Sequence, residues 1–280
     1  MVLLMSLFIT SGFFMRSIVD SNMRDHMFKQ FFLILGIVLT LAAFQNHKKN
    51  NLEVAEDLYK KILKINPNYA GVYYNLGIMY KELKEHQKAI NYYEKAIQFN
   101  PNYVEAHTNL GMVFFELQEL PKAIICYEKA IQINPNYADA HNNLGLVFIK
   151  QREYLKAISS FKEAILLNSN HASAHSNLGI MYKELGEYQK AIKCYEKSIQ
   201  INPNYANVYY NLGNIMQELK ELKKAKNCYE KLISLDPTYK KGYSGYGNLL
   251  LKIAQHNKGL AYIRKGDGVI RFTEEDVKII

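Results

Sequence analysis

From Ala70 to Tyr239 the apolar side chains fall into two alternating stripes of helical spacing, and the pair of stripes recurs every 34 residues. Units numbered 1 to 34 start at Ala70, Val104, Ala138, Ala172 and Ala206. Positions 4, 7, 8 and 11 form the first stripe, and positions 20, 24 and 27 form the second. Position 7 is Leu76, Leu110, Leu144, Leu178 and Leu212. Position 8 is Gly77, Gly111, Gly145, Gly179 and Gly213, and position 20 is Ala89, Ala123, Ala157, Ala191 and Ala225. Small residues at 8 and 20 are expected to let two helices approach closely. Position 24 is aromatic throughout: Tyr93, Tyr127, Phe161, Tyr195 and Tyr229. Pro67, Pro101, Pro135, Pro203 and Pro237 stand at position 32, where they end the second helix; Ser169 fills the missing node, and Pro121 lies off the lattice. The flanking Asn-Pro-Asn-Tyr runs are turn chemistry. Each unit therefore reads helix, turn, helix, turn, and such an array buries its core only between neighbours.

The array frays at both ends. A degenerate unit precedes the five regular ones: Ala55, Tyr59 and Pro67 occupy positions 20, 24 and 32, and a first helix is expected over 36–49 with Leu39, Ala42 and Ala43 at positions 4, 7 and 8. Six units thus span 36–239. Residues 240–265 read as a partial seventh unit or capping helix pair, with Tyr243 and Gly247 at positions 4 and 8 but Gly259 at 20. The tail, 266–280, reads as a turn, a short strand and a helix start, with Thr273 and Asp276 as a capping pair.

The period, together with the matched Leu-Gly, Ala, aromatic and Pro positions, resembles the tetratricopeptide repeat family. That resemblance implies an all-α fold, a right-handed superhelical solenoid of stacked antiparallel helix pairs. Position 4 departs from the family's usual Trp and carries Tyr73, His107, His141, His175 and Tyr209.

Charge and cysteine narrow the chemistry. The net charge is +9, yet all but five of the 35 basic residues are lysine, and many recur at fixed places such as position 19 (Lys88, Lys122, Lys156, Lys190, Lys224). Regular lysine reads as a solvated outer face, and the scarcity of arginine argues against nucleic acid as partner. Cys126, Cys194 and Cys228 share position 23, too far apart to pair, and read as small core residues of a reducing, cytoplasmic setting. His107, His141 and His175 share position 4 of successive units, a spacing that no single metal ion bridges. The chain shows no phosphate-binding glycine loop, HExxH, CxxC or nucleophile elbow, and no cofactor or catalysis is expected.

Residues 1–15 (MVLLMSLFITSGFFM) and 31–44 (FFLILGIVLTLAAF) are strongly apolar but shorter than the roughly 18 to 20 residues that span a bilayer. Residues 1–35 are read either as a buried extension of the first helix or as a membrane tether. A secretory signal starting near Met27 is a third reading, against which stands the lack of a small-x-small cleavage site.

The candidate binding surface is a ladder of amides. Position 6 is Asn75, Asn109, Asn143, Asn177 and Asn211, and it points away from the packing stripe, on the side of positions 2, 9 and 13. Side-chain amides donate and accept, so a regular ladder suits an extended peptide backbone. Tyr74 and Tyr210 at position 5 flank it, as do Glu82, Glu116, Glu184 and Glu218 at position 13, where Lys150 breaks the run. Position 9 adds Ile78, Met112, Leu146 and Ile180. The family resemblance makes this surface the concave groove, and its amide ladder resembles the repeat region of protein O-linked N-acetylglucosamine transferases. The same asparagines fit a structural role, bonded to adjacent backbone. Position 2 (Gly71, Glu105, Asp139, Ser173, Asn207) lacks the basic residues of a clamp for acidic C-termini, so a neutral or basic extended protein segment is the expected partner. The function read from this is a non-enzymatic scaffold, the alternatives being a substrate-presenting arm of a glycosyl-transfer system or a membrane-tethered assembly factor.

Overall fold

The computed structural model describes residues 35–36, 38–268, 270–272 and 277–279. In chain order the helices are α1 (38–48), α2 (Leu52–Ile65), α3 (Ala70–Glu82), α4 (His86–Phe99), α5 (Val104–Glu116), α6 (Leu120–Ile133) and α7 (Ala138–Lys150). They continue as α8 (Tyr154–Leu167), α9 (Ala172–Glu184), α10 (Tyr188–Ile201), α11 (Ala206–Glu218), α12 (Leu222–Leu235), α13 (Lys240–Lys252) and α14 (His256–Asp267). The chain divides into two compact bodies, Met1–Leu117 and Gln118–Ile280, so that α1–α5 belong to the first and α6–α14 to the second.

Two turns, repeated, make the helix pairs. Inside each unit the chain reverses at position 15, where Asn50, Lys84, Gln118, Arg152, Lys220 and Ala254 all hold φ near +60° and Gly186 takes the same place at φ +74°. In the turn after α7, Arg152 N–H donates to Ile149 O and Glu153 N–H to Phe148 O, and the pattern repeats after α3, α9 and α11. These two bonds are the Schellman closure of a helix C-terminus. Between units, position 31 carries the turn: Asn66 Oδ1 accepts from Asn68 N–H, and Asn100, Asn134, Asn202 and Asp236 do the same two residues on. Asn168 closes the identical turn at 3.0 Å with Ser169 in place of proline, so the asparagine, not the proline, sets the geometry. The off-lattice Pro121 stands in the first turn of α6, where its missing N–H has no helical partner to lose.

The core is one layer of residues between paired helices. Alanine at position 20 and the aromatic ring at position 24 are buried in every unit. The glycine at position 8 lies directly beneath that ring: a Cβ on Gly77 would sit 2.5 Å from the Tyr93 ring, and one on Gly145 2.6 Å from Phe161. The glycine thus makes room for a ring rather than for a second backbone. In the last pair backbone does meet backbone: a Cβ on Gly247 would stand 2.7 Å from Gly259 O.

The first stripe differs from the expected one. Positions 3 (Val72, Ala106, Ala140, Ala174, Val208) and 10 (Met79, Val113, Val147, Met181, Ile215) are fully buried, whereas most position-4 side chains are only half-buried. The polar tip of position 4 explains this, because in each unit it bonds the carbonyl of the preceding position 32. Tyr73 and Tyr209 donate their hydroxyls to Pro67 O and Pro203 O at 2.9 and 3.0 Å. His107, His141 and His175 present Nε2 to Pro101 O, Pro135 O and Ser169 O at 3.0 to 3.1 Å. A carbonyl only accepts, so each ring holds its proton on Nε2.

At the C-terminus β1 (Ile270–Phe272) pairs antiparallel with β2 (Val277–Ile279), Ile270 opposite Ile279. A strand therefore stands where a helix start was expected; residues 273–276, with the capping pair, lie outside the described residues. Residues 1–15 also lie outside them. Among the described residues no helix is long and apolar enough to cross a membrane. The described part of 31–44 buries Ala43 and half-buries Leu39 and Ala42 in α1, as a repeat helix does.

Candidate functional site

All five ladder asparagines are half-buried on the first helices of their units. Their amides split into two kinds. In the first body Asn109 Nδ2 donates to Tyr74 Oη at 2.9 Å. In the second, Asn177 Nδ2 donates to Asn142 Oδ1 at 2.9 Å, and Asn142 Nδ2 donates to Asn143 Oδ1 at 3.2 Å. In both bodies position 6 reaches back to position 5 of the preceding first helix, which ties neighbouring helices together. Asn75 and Asn211 have no hydrogen-bond partner among the described residues. The structure thus adds Asn142 to the ladder. The signal was present: position 5 reads Tyr74, Thr108, Asn142, Ser176, Tyr210, a hydrogen-bonding side chain each time.

Tyr74 and Tyr210, at position 5, are half-buried among other tyrosines. The Tyr74 ring centroid lies 4.9 Å from Tyr103 and 6.0 Å from Tyr93. Tyr210 lies 5.6 Å from Tyr239 and 6.4 Å from Tyr229, the same trio of positions 5, 24 and 34. Burial raises the Tyr74 phenol above its ordinary pKa, Glu105 adds to the rise, and the Asn109 bond opposes it. The phenol therefore stays a neutral donor, free to bond a ligand as it accepts from Asn109.

The position-13 carboxylates, two turns along the same helix face from position 6 in each unit, are not bare. Glu82 meets His47 Nε2 at 2.9 Å. Glu116 lies 4.0 Å from Lys81 Nζ and 3.7 Å from His86 Nδ1. Glu184 approaches Lys183 at 3.8 Å, and Glu218 accepts the Tyr188 hydroxyl, which raises that phenol's pKa. These carboxylates remain well exposed, and such surface pairs contribute little to stability, about 0 to 1 kcal/mol. They leave acceptor capacity for an incoming donor. Ile78, Met112, Leu146 and Ile180 are half-buried between them. Asp139 at position 2 is held below the usual carboxylate pKa, chiefly by the bond from His171 Nε2 at 3.0 Å. His171 Nδ1 accepts from Ala174 N–H, so one imidazole both caps α9 and holds Asp139.

The outer lysines are more ordered than a plain solvated face. Lys88, Lys122, Lys156, Lys190 and Lys224 each pair with the glutamate three residues earlier. Lys88, Lys156 and Lys190 also lie over the position-11 rings of Tyr80, Phe148 and Tyr182 at 4.8 to 5.4 Å. The three cysteines are free, and burial raises Cys228 to about 11, which leaves it a protonated packing residue. Among the described residues no cluster of His, Cys, Asp or Glu is placed to hold a metal ion.

Comparison with known proteins places the repeats. The family described as the cilia and flagella-associated protein 70 C-terminal domain, a tetratricopeptide-repeat family, matches residues 36–242. Among functionally curated proteins none matches in sequence. Among solved structures, PilF of Pseudomonas aeruginosa is similar at 22% identity and TM-score 0.64, over 69% of this chain and 88% of that one. The Cut9–Hcn1 hetero-tetramer of the APC/C aligns at 19% identity and TM-score 0.69, over 77% of this chain but 43% of that one. A tetratricopeptide repeat protein from Parabacteroides merdae aligns at 19% identity and TM-score 0.63, over 86% and 94% of the two chains. At these identities the likeness is one of fold, the solenoid of stacked helix pairs. None of these comparisons points to O-linked N-acetylglucosamine transferases in particular.

Proposed function

This chain belongs to the tetratricopeptide-repeat family of the cilia and flagella-associated protein 70 C-terminal domain, and on that premise we propose that it is a non-enzymatic scaffold holding an extended segment of a partner protein along its asparagine face. The observation that carries the reading is the unused amide capacity at position 6. Asn75 and Asn211 spend none of their hydrogen-bonding groups on the protein, and Asn109 and Asn177 spend one N–H each. Half-buried amides of this kind suit the alternating N–H and C=O of an extended backbone. The exposed carboxylates Glu82, Glu116, Glu184 and Glu218 favour a neutral or basic segment.

The test separates binding from folding. Asn75→Ala with Asn211→Ala removes no intramolecular hydrogen bond and leaves the melting temperature unchanged. Asn177→Ala deprives buried Asn142 of a donor and costs on the order of 1 kcal/mol. Affinity capture with wild type and the Asn75/Asn211 variant, read by mass spectrometry, loses a partner only in the variant. Identical partner sets would return the ladder to a purely structural role. Recovery of a glycosyltransferase in the wild-type set would support the substrate-presenting variant of this function.

A further inference from the structure

In each body one groove opens where two successive second helices flank the first helix between them. In the first body such a groove, of about 420 Å³, is lined by Glu56, Lys60, Tyr80, Lys88, Asn91, Tyr92 and Lys95. It carries its own carboxylate: Glu56 accepts from Tyr80 at 2.7 Å and pairs with Lys60 at 2.5 Å. The corresponding groove of the second body lies between α8 and α10 over α9, and holds about 300 Å³. Its floor is Ile165, Leu178, Cys194 and the Tyr182 ring, and its rim is Lys162, Lys190 and Lys193. No carboxylate lines it.

The cationic rim is a departure from the repeat. Position 25 is Glu94, Glu128, Glu196 and Glu230 in four units, and Lys162 here; position 22 of the following unit is Lys193, where the others carry the uncharged Asn91, Ile125, Ser159 and Asn227. Lys190 is paired with Glu187, but Lys162 and Lys193 have no ion-pair partner among the described residues. Lys162 lies close enough to the Cys194 thiol to oppose the upward push of burial on its pKa. From α9 two titratable groups line the groove, His175, which burial holds below the ordinary imidazole pKa and which donates to Ser169 O, and the Tyr182 phenol. Helix α8, which carries Lys162, breaks the pattern twice more. Leu155 and Leu166, at positions 18 and 29 where other units carry mostly Gln, Lys or Asn, are 81% and 77% exposed.

Two unneutralised ammonium groups above an apolar floor define a ligand chemistry. We propose that the α8–α10 groove binds an anionic group carried on a compact apolar body, of the aryl phosphate or aryl carboxylate class. The volume stands at the lower end of small-molecule sites, about 300 to 1,000 Å³, and accommodates one ring with its charged substituent. The ring displaces water from the Ile165, Leu178 and Cys194 floor, while the anion takes the free donors of Lys162 and Lys193.

Phenyl phosphate, titrated into the full chain and followed by backbone amide NMR, is expected to shift resonances of α8, α9 and α10 around Lys162, Leu178 and Lys193. The double variant Lys162→Glu with Lys193→Asn installs the residues that Glu196 and Asn227 supply one unit later, at exposed positions, so the fold is retained. It is expected to weaken binding at least tenfold. Inorganic phosphate is expected to bind at least tenfold more weakly than phenyl phosphate. An N-acetyl phosphotyrosine amide distinguishes the source: binding tighter than phenyl phosphate assigns a peptide-borne ligand, and equal or weaker binding assigns a free small molecule. Absence of saturable shifts with phenyl phosphate, equal affinity for inorganic phosphate, or unchanged affinity in the double variant would each overturn the proposal.

Discussion

The units that start at Ala172 and Ala206 are neighbours in one body, share the same backbone, and differ at three places that matter. Position 4 is His175 in one and Tyr209 in the other, yet both donate to the carbonyl six residues back. Position 9 is Ile180 against Asn214; Tyr229 donates its hydroxyl to Asn214 Oδ1 at 2.7 Å, whereas the buried hydroxyl of Tyr195 has no partner among the described residues. Position 15 is Gly186 against Lys220, both at positive φ. The repeat thus holds shape constant while polar satisfaction and backbone strain vary from unit to unit. Stability is therefore distributed unevenly along an array whose sequence looks uniform.

The largest effect is expected at position 8. A Cβ on Gly179 would stand 2.6 Å from the Tyr195 ring, but one on Gly213 would stand 3.1 Å from Tyr229. Gly179→Ala is expected to destabilise by about 1 to 2 kcal/mol, the overpacking outweighing the helix-propensity gain, while Gly213→Ala falls near zero. Equal midpoints in chemical denaturation would mean that the two rings pack alike. Next comes the hydroxyl. Tyr229→Phe leaves Asn214 without its donor and is expected to cost about 1 kcal/mol, whereas Tyr195→Phe removes an unsatisfied buried group and is neutral or stabilising. A cost at Tyr195 as large as at Tyr229 would reveal a partner for that hydroxyl.

Smaller again is the turn. Lys220→Gly relieves a left-handed residue and is expected to raise stability by about 0.5 to 1 kcal/mol, and Gly186→Lys to lower it by a similar amount. The reverse signs would place the strain elsewhere. The smallest effect depends on pH. Burial, the dominant cause, holds His175 below the ordinary imidazole pKa. A depressed folded pKa means that the unfolded chain takes up the proton first, so this contribution is complete above about pH 6.5 and is lost as the pH falls. The melting temperature is expected to fall from about pH 7.5 to about pH 5.5. His175→Tyr, the residue already used at Tyr209, should reduce that fall. An unaltered pH profile would assign the effect to other groups.

Most of the fold was legible because a 34-residue period repeats each helix–turn–helix signal several times over, so the Leu-Gly, Ala and aromatic positions reinforce one another. Pro121, isolated in the pattern, resolved itself as a first-turn residue of α6. Position 15 was hidden, because Asn, Lys, Gln, Arg and Ala share no propensity for positive φ and the Schellman closure imposes it from both flanking helices. The asparagine face was legible as a ladder, but not the division of its amides between Tyr74, Asn142 and solvent.

What the sequence determined by itself is the array: local helix periodicity, the Asn-based turns and the buried ring at position 24 follow from residue types at fixed spacing. What only the tertiary structure decided is how each polar atom is spent. Hydrogen bonds such as Asn177 to Asn142 and Tyr229 to Asn214, and the unopposed Lys162 and Lys193, depend on distances of a few ångströms between helices. Hydrophobic burial tolerates such differences because it is non-directional; hydrogen bonds and ion pairs do not, because they fail within about an ångström of misplacement.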